Sequence, residues 1–445
     1  MAYNKQAKTL NHFLYDCYTQ HGKLFLVWFL IKPYVFLADP KLIREILVER
    51  KDPKEKEIYG LLSYIQGERF LGNGIITNVE FESWRAVHKL MSPAFKRSYL
   101  KGLVGQFNAS AELFVKRLAT QADGFTEVSM YREFPRVTLD TIAKVAFDME
   151  IRAFDVGLDA SLVSEGLRRA FEAFRESVNN PLFRFGLVKR EMSRRGREGA
   201  RQVRSLAKRC IRERIEKVRG GVEVPNDILT MIVQGAASEE IHFTMEEMID
   251  EFVSLFIAGM DTTASLLSFT LLELAKNPAV LERVYREVIE TIGSRVNVTF
   301  DDLSEMQYLG RVFKEVLRRH PPVPGSGREL QEGATIGTHT IPAHTVVASS
   351  AYVTHHIPDH FVDPFTFNPD RFEPSTPISI YQYIPFSVGP RGCLGKDFAL
   401  IEAKLVIARF IQTFQFELIP GQEEGTSLLV SLTPRSNLLC TLTLR

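Results

Sequence analysis

The sequence predicts a mainly α-helical chain with a small β portion, folded as a single domain over residues 1–445. Three observations predict it. From Trp84 to about Gly220 nearly every stretch has helical periodicity and few prolines. Thr244-Met-Glu-Glu247 then forms a capping box that opens one long apolar helix, Met245 to about Lys276. No Gly/Ser- or Pro-rich linker and no repeat divides the chain, whose 45% apolar residues suffice for one large core.

The elements follow in order. Met1 to about Asp52 carries a short helix and two strand-like runs, Lys23–Ile31 and Tyr34–Leu37. Asp39-Pro40 caps a helix reaching Val48. A basic stretch, Arg184 to Arg219, reads either as a solvated helix face or as a contact with an anionic membrane surface. Gly220-Gly221…Pro225-Asn-Asp227 is a loop before a new helix. Asn277-Pro278 ends the long helix and begins another, which stops at Gly293. A helix from about Tyr308 to Arg319 is closed by Pro321-Pro322. Short β-like segments follow (Thr335–Ile341, Thr345–Ser350), then an irregular stretch from His356 to Pro385. A glycine-rich loop, a helix and a terminal hairpin (Leu428–Leu432 with Leu438–Leu444) complete the chain.

A net charge of +1 gives no reason to expect nucleic acid or another polyanion as partner. Cys17, Cys210, Cys393 and Cys440 are widely spaced, which fits a reducing compartment rather than a disulfide framework. No run approaches the ~20 apolar residues of a membrane span, and no signal peptide is visible. The chain alone therefore reads as soluble and monomeric, with any N-terminal membrane anchor not present in it.

Chemistry concentrates in Phe386-Ser-Val-Gly-Pro-Arg-Gly-Cys-Leu-Gly395. Cys393 sits in a tight glycine loop ahead of an amphipathic helix, where the helix dipole and free N–H groups favour a thiolate. Gly389, Gly392 and Gly395 allow close approach to a flat macrocycle and positive φ. Arg391 can reach a carboxylate of that macrocycle. Inside the long helix, Ala258-Gly-Met-Asp-Thr-Thr263 combines a glycine that costs ~1 kcal/mol with a polar cluster in apolar surroundings. Gly259 would open a groove for dioxygen, with the Thr262 hydroxyl facing it and Asp261 feeding protons. The bland alternative is a kink satisfied by a threonine back-bond. Glu315-Val-Leu-Arg318 is by itself an ordinary ion pair.

The Cys393 loop, F-x-x-G-x-R-x-C-x-G, resembles the haem-binding signature of the cytochrome P-450 family, and Ala258–Thr263 resembles its oxygen-activating motif. Glu315 and Arg318 with Arg371, in Phe367-Asn-Pro-Asp-Arg-Phe372, resemble its structural triad. Trp84-Arg-Ala-Val-His88 resembles its propionate-binding W-x-x-x-R, with His88 at the arginine position, and Arg328 matches another propionate-binding arginine. Among subfamilies the chain is most similar to the cholesterol 24-hydroxylase group, through Gly67-Glu-Arg-Phe…Gly72-Asn-Gly74, Gly221-Val-Glu-Val-Pro…Asp227-Ile-Leu-Thr230, Phe256-Ile-Ala-Gly259 and Phe365–Phe372.

The resemblance implies a P-450 fold, with haem b between the long central helix and the cysteine helix. Phe386, Arg391, Cys393, Gly395, Gly259, Trp84, His88 and Arg328 would contact the haem, with the Cys393 thiolate on its iron. It further implies a monooxygenase that inserts oxygen from O2 into an unactivated C–H bond. Two electrons would come from NADPH through cytochrome P-450 reductase, with cytochrome b5 as a second donor. Phe252, Phe256, Ala258 and Val323 would line a pocket for a sterol such as cholesterol, or for a fatty acid, steroid or xenobiotic. Lys89, Lys96, Arg97, Lys101, Lys396 and Lys404 would attract the acidic reductase. The place implied is the cytoplasmic face of the endoplasmic reticulum, with peripheral membrane contact. A non-oxygenase isomerase or dehydratase and a non-catalytic haem lipid sensor are the alternatives from other classes.

Overall fold

A computed structural model of the protein describes residues 9–29, 31–151, 158–237, 239, 241–428 and 430–445. The central helix, Met245–Lys276, organises them. Its capping box closes as the sequence predicts. Thr244 Oγ1 accepts from the Glu247 N–H at 3.3 Å, and Glu247 Oε2 accepts from the Thr244 N–H at 2.8 Å. Contrary to expectation, this helix is long and apolar enough to cross a membrane. It is instead a core element, because a helix that is apolar on most sides must be covered on most sides. Helices Met130–Phe147, Arg190–Arg219, Gln307–Arg319 and Lys396–Thr413 all pack on it.

The small β portion lies beside the helices. Lys32–Leu37 pairs antiparallel with Leu24–Phe29 and parallel with Val346–Ser350, whose other edge takes Gly325–Glu329. The last of these strands went unseen in Gly-Ser-Gly-Arg-Glu, which has no apolar alternation. The expected terminal hairpin is corrected. Thr426–Leu428 pairs with Leu432–Pro434, whereas Leu439–Leu444 pairs with Phe414–Leu418. Three expectations touch residues outside those described: the opening residues 1–8, the strand run across residue 30 and the hairpin across residue 429.

Most of the basic stretch is the solvated face of one reading, with Arg194, Arg195, Arg201, Arg209 and Arg212 exposed, but two of its arginines are not. Arg204 is buried and bonds Asp250 at 2.7 Å and Glu246 at 2.6 Å, while Arg214 bonds Asp227 at 2.7 Å. These two fasten the helix Arg190–Arg219 to its neighbours. Arg69 and the N–H of Asn73 complete the ring around Asp250. The Gly72–Gly74 turn lies so close that a Cβ on Gly72 (φ +54°) would overlap the Asp250 carboxylate.

Candidate functional site

Cys393 ends a loop built for one shape. Its N–H donates to the Phe386 carbonyl at 2.8 Å, and the N–H of Gly392 donates to Gly389 at 2.9 Å. Gly389 has φ +78°, and a Cβ there would stand 2.3 Å from the Leu47 carbonyl oxygen. Only this glycine of the three meets the expected demand for positive φ; Gly395 meets neither strain nor crowding and simply begins the helix Lys396–Thr413. The Cys393 side chain is open to solvent, yet its sulfur sits deep in a recess. Burial pushes its thiol up from the ordinary value, against the pull of the Gly395 N–H and Lys396. The expected thiolate stabilisation is present but is outweighed by desolvation.

The loop is held from behind by the predicted triad. Arg318 meets Glu315 with two bonds, Nε to Oε2 at 2.7 Å and Nη2 to Oε1 at 2.8 Å, both side chains fully buried. Arg371 Nε reaches Glu315 Oε1 at 3.1 Å, and the Asn368 N–H reaches the same oxygen at 3.0 Å. The remaining guanidinium hydrogens go to carbonyls of His355, Val362 and Thr366. A buried ion pair stands only when satisfied this fully. Sequence reasoning missed His355, whose ring bonds the Arg318 carbonyl and the Ile384 N–H and so carries the triad to the loop.

In front of the loop stand three cations without anions. Arg391 lies 4.7 Å over the Trp84 ring and donates only to the carbonyls of Asn78 (2.6 Å) and Val79 (2.8 Å). Arg328 is buried and donates to Ser326 Oγ and the Gly327 carbonyl, both at 3.0 Å. Lys54, which nothing in the sequence marks, pairs with Arg328 across a β-bridge and donates to the Ile76 carbonyl at 2.6 Å. None of the three is in an ion pair among the described residues. Burial, then mutual repulsion, lowers Lys54 well below its usual range and Arg391 to about 10. Such a cluster is unfavourable unless an anion shares it.

A lone recessed thiol, no grouping of three metal-ligating side chains among the described residues, and an anion-seeking cluster two residues away fit haem with its two propionates. His88 fits less well than expected. Its ring lies tilted beside Trp84 at 4.8 Å, and burial, which disfavours its charged form, lowers its pKa. Ser92 Oγ donates to the His88 carbonyl at 2.6 Å and stands 3.2 Å from the ring's Nδ1.

On the central helix, Thr262 Oγ1 donates to the Ala258 carbonyl at 2.7 Å, the back-bond of the bland reading, and the helix runs unbroken. Gly259 is small for a packing reason, since its Cβ would sit 2.6 Å from Ile142 Cδ1. Asp261 Oδ2 accepts from the Ser431 N–H at 3.1 Å, and burial raises its pKa. Phe252 and Phe256 are corrected as pocket residues: they pack against Phe147 with tilted rings, centroids 4.2 and 5.9 Å away, inside the core. Residues seven and eleven before Thr262 share its face, which makes Leu255 and Glu251 the residues in line with Ala258. Val323 is 51% exposed.

The candidate reductase cations divide as well. Lys89, Lys96, Arg97, Lys101 and Lys396 are exposed. Lys404 is spent internally on the carbonyls of Leu303 and Met306, at 2.7 and 2.8 Å, and burial lowers it to about 8.

Residues 2–441 match the family model described as Cytochrome P450. Cytochrome P450 4d2 of Drosophila melanogaster is 28% identical over 93% of this chain and 85% of its own length. The 11-oxo-beta-amyrin 30-oxidase of Glycyrrhiza uralensis is 27% identical over 94% and 80%. Cytochrome P450 3A29 of Sus scrofa is 27% identical over 92% and 82%.

Proposed function

The chain belongs to the cytochrome P450 monooxygenase family, and from that premise we propose that it hydroxylates an unactivated C–H bond of a bulky apolar lipid, a sterol such as cholesterol. The observation that carries the haem chemistry is the recessed Cys393 beside the unpaired Lys54, Arg328 and Arg391. Haem bound there would supply the chemistry of O2 activation. Cys393 would hold the iron, and Lys54, Arg328 and Arg391 the propionates, with Trp84 beneath Arg391.

The protein's own part is positioning and proton supply. Burial raises the pKa of Asp261 from its ordinary value, while the Ser431 N–H fixes its Oδ2. Thr262, one residue on, passes a proton when its hydroxyl leaves the Ala258 carbonyl. Leu255, Ala258 and Val323 give the substrate an apolar wall. The sterol reading is supported by that wall and by the local similarities of the sequence; one relative is named for oxidising 11-oxo-beta-amyrin. Electrons would come from NADPH through the reductase, docked on Lys89, Lys96, Arg97, Lys101 and Lys396 at the endoplasmic reticulum membrane.

Absorbance titration of the ferric holoenzyme with cholesterol tests the substrate. A low- to high-spin shift, with an NADPH- and reductase-dependent hydroxylated product, is expected. A thiolate-haem spectrum that cholesterol leaves unchanged removes the sterol and keeps the monooxygenase.

A further inference from the structure

A recess of about 340 Å³ opens between the helices Phe300–Glu305, Gln307–Arg319 and Lys396–Thr413. None of Cys393, Lys54, Arg328 and Arg391 lines it, so it is separate from the haem site. Phe300, Leu303, Phe372, Leu400 and Ile401 give it apolar walls. That size and lining suit a small organic molecule rather than a bare ion. Lys404 lines the recess too, and it gives the reason to expect a charge on that molecule. An ammonium carries three hydrogens. Two go to the carbonyls of Leu303 and Met306, at 2.7 and 2.8 Å, and the third has no acceptor among the described residues. Burial lowers the Lys404 pKa to about 8; Glu287 opposes that fall, and Arg97 and Lys314 add to it. Glu287 is itself taken by the N–H groups of Tyr308 and Leu309, at 2.6 and 2.8 Å.

Arg97 and Lys314 line the same recess. Arg97 packs over the Phe300 ring at 5.0 Å and donates to Ser304 Oγ at 3.2 Å, and the Lys314 amine stands 5.9 Å from the Phe372 ring. Neither has a carboxylate partner among the described residues. Arg311, the fourth cation there, is spent on Glu373 at 2.8 Å and Asp370 at 3.4 Å. The one acid in the lining, Asp397, stands in the first turn of its helix, where the helix dipole offsets its charge. Three cations around a single acid call for an anion, and Asp397 weighs against a doubly charged one.

We propose that this recess binds a fatty carboxylate, with its head among Lys404, Arg97 and Lys314 and its chain against Leu400, Ile401 and Phe372. The carboxylate takes the third hydrogen of Lys404 and relieves the repulsion among the three cations. The chain covers apolar surface that water otherwise wets. The inference does not depend on which lipid the haem site hydroxylates.

Isothermal titration of the holoenzyme with laurate tests it, with clotrimazole held on the haem so that the substrate side is closed. One laurate should bind per chain, with proton uptake at pH 8 as Lys404 regains its charge. Dodecanol should bind about tenfold more weakly, and so should laurate to R97Q/K314Q. S304W, which puts an indole into the recess, should abolish binding. Arg97, Ser304 and Lys314 are exposed, so both variants should keep the carbon monoxide difference spectrum of the wild type. No binding of laurate overturns the proposal outright. Equal affinity for laurate and dodecanol overturns the charged head site, and undiminished binding by either variant overturns its place. Binding without proton uptake removes Lys404 from the site. If laurate binds only when clotrimazole is absent, and then shifts the haem spectrum, it is entering the substrate pocket and the proposal fails.

Discussion

Ile384 donates its backbone N–H to Nε2 of His355 at 2.8 Å. Because Nε2 accepts, the ring proton belongs on Nδ1, where the Arg318 carbonyl stands at 3.1 Å. Burial, then Arg318, pushes the pKa of His355 down to about 3, so the ring is neutral at every working pH. One imidazole thus joins the Glu315–Arg318 pair to the strand of chain entering the Cys393 loop. H355A should leave a buried donor and a buried acceptor unpaired, costing about 1–3 kcal/mol for each. A urea melt should show the lower midpoint, with haem released earlier than in the wild type. An unchanged midpoint would mean that the loop does not depend on this bridge.

Asp261 does two things that mutation can separate. Its Oδ2 accepts from the Ser431 N–H, and its carboxyl, raised in pKa by burial, is an acid next to Thr262. D261N keeps an acceptor for Ser431 but cannot exchange a proton. Its expected kcat falls by about 10²-fold or more, with NADPH oxidised without product and substrate affinity nearly unchanged. D261A should in addition loosen the Leu432–Pro434 hairpin and raise the dissociation constant. If D261N couples electrons to product as the wild type does, Asp261 is an anchor only.

Glu251 is buried on the Thr262 face, with Oε2 accepting from the Ile75 N–H at 2.9 Å. Burial is the main cause that raises its pKa to about 8, and neighbouring Asp250 adds to it. The unfolded carboxyl titrates near 4.3. Between these values the folded chain holds a proton that the unfolded chain has lost, so stability falls as pH rises. The loss is about 1.4 kcal/mol per pH unit from this one group at most, complete above about 8 and absent below about 4. E251Q preserves the acceptor and removes the titration. Melting temperatures of wild type and E251Q should therefore converge at pH 5 and diverge at pH 8, with the variant higher. Parallel curves would show that Glu251 does not titrate in this range.

Much of this was legible in the sequence, for physical reasons that differ by residue. The capping box and the Asn277-Pro278 break are local signals, and local signals survive folding. Glu315, Arg318 and Arg371 were found by the order and spacing of two motifs, and Glu315 and Arg318 are fully buried with Arg371 bonded to them from the edge. The errors came where tertiary packing decides. Phe252 and Phe256 lie on an apolar helix, and which side faces the pocket depends on Phe147 of another element. Gly259 seemed made for a groove, whereas Ile142 of a neighbouring helix claims the space. Lys54 and His355 had no motif around them. Their roles arise from partners on other elements, Arg328 for Lys54 and Ile384 for His355.

Lys54 and His88 are tested against each other. The resemblance puts His88 at the position of a propionate-binding arginine, but burial lowers its pKa and so disfavours the charged ring. Lys54, squeezed by burial and by Arg391 and Arg328, is the cation that stands free for a propionate. A bound dianion would relieve that repulsion, so K54Q should release haem about tenfold faster in a transfer assay to apomyoglobin, with K54R restoring the wild-type rate. H88Q should change the rate by less than about twofold, since it removes no charge at neutral pH. Faster release from H88Q than from K54Q would return the role to the histidine. Haem loading should also be accompanied by proton uptake that K54Q lessens, because the anion raises the lysine back toward its ordinary pKa. That proton count is read without turnover, so it separates a charged contact from a residue that only shapes the loop before Lys56–Ser63.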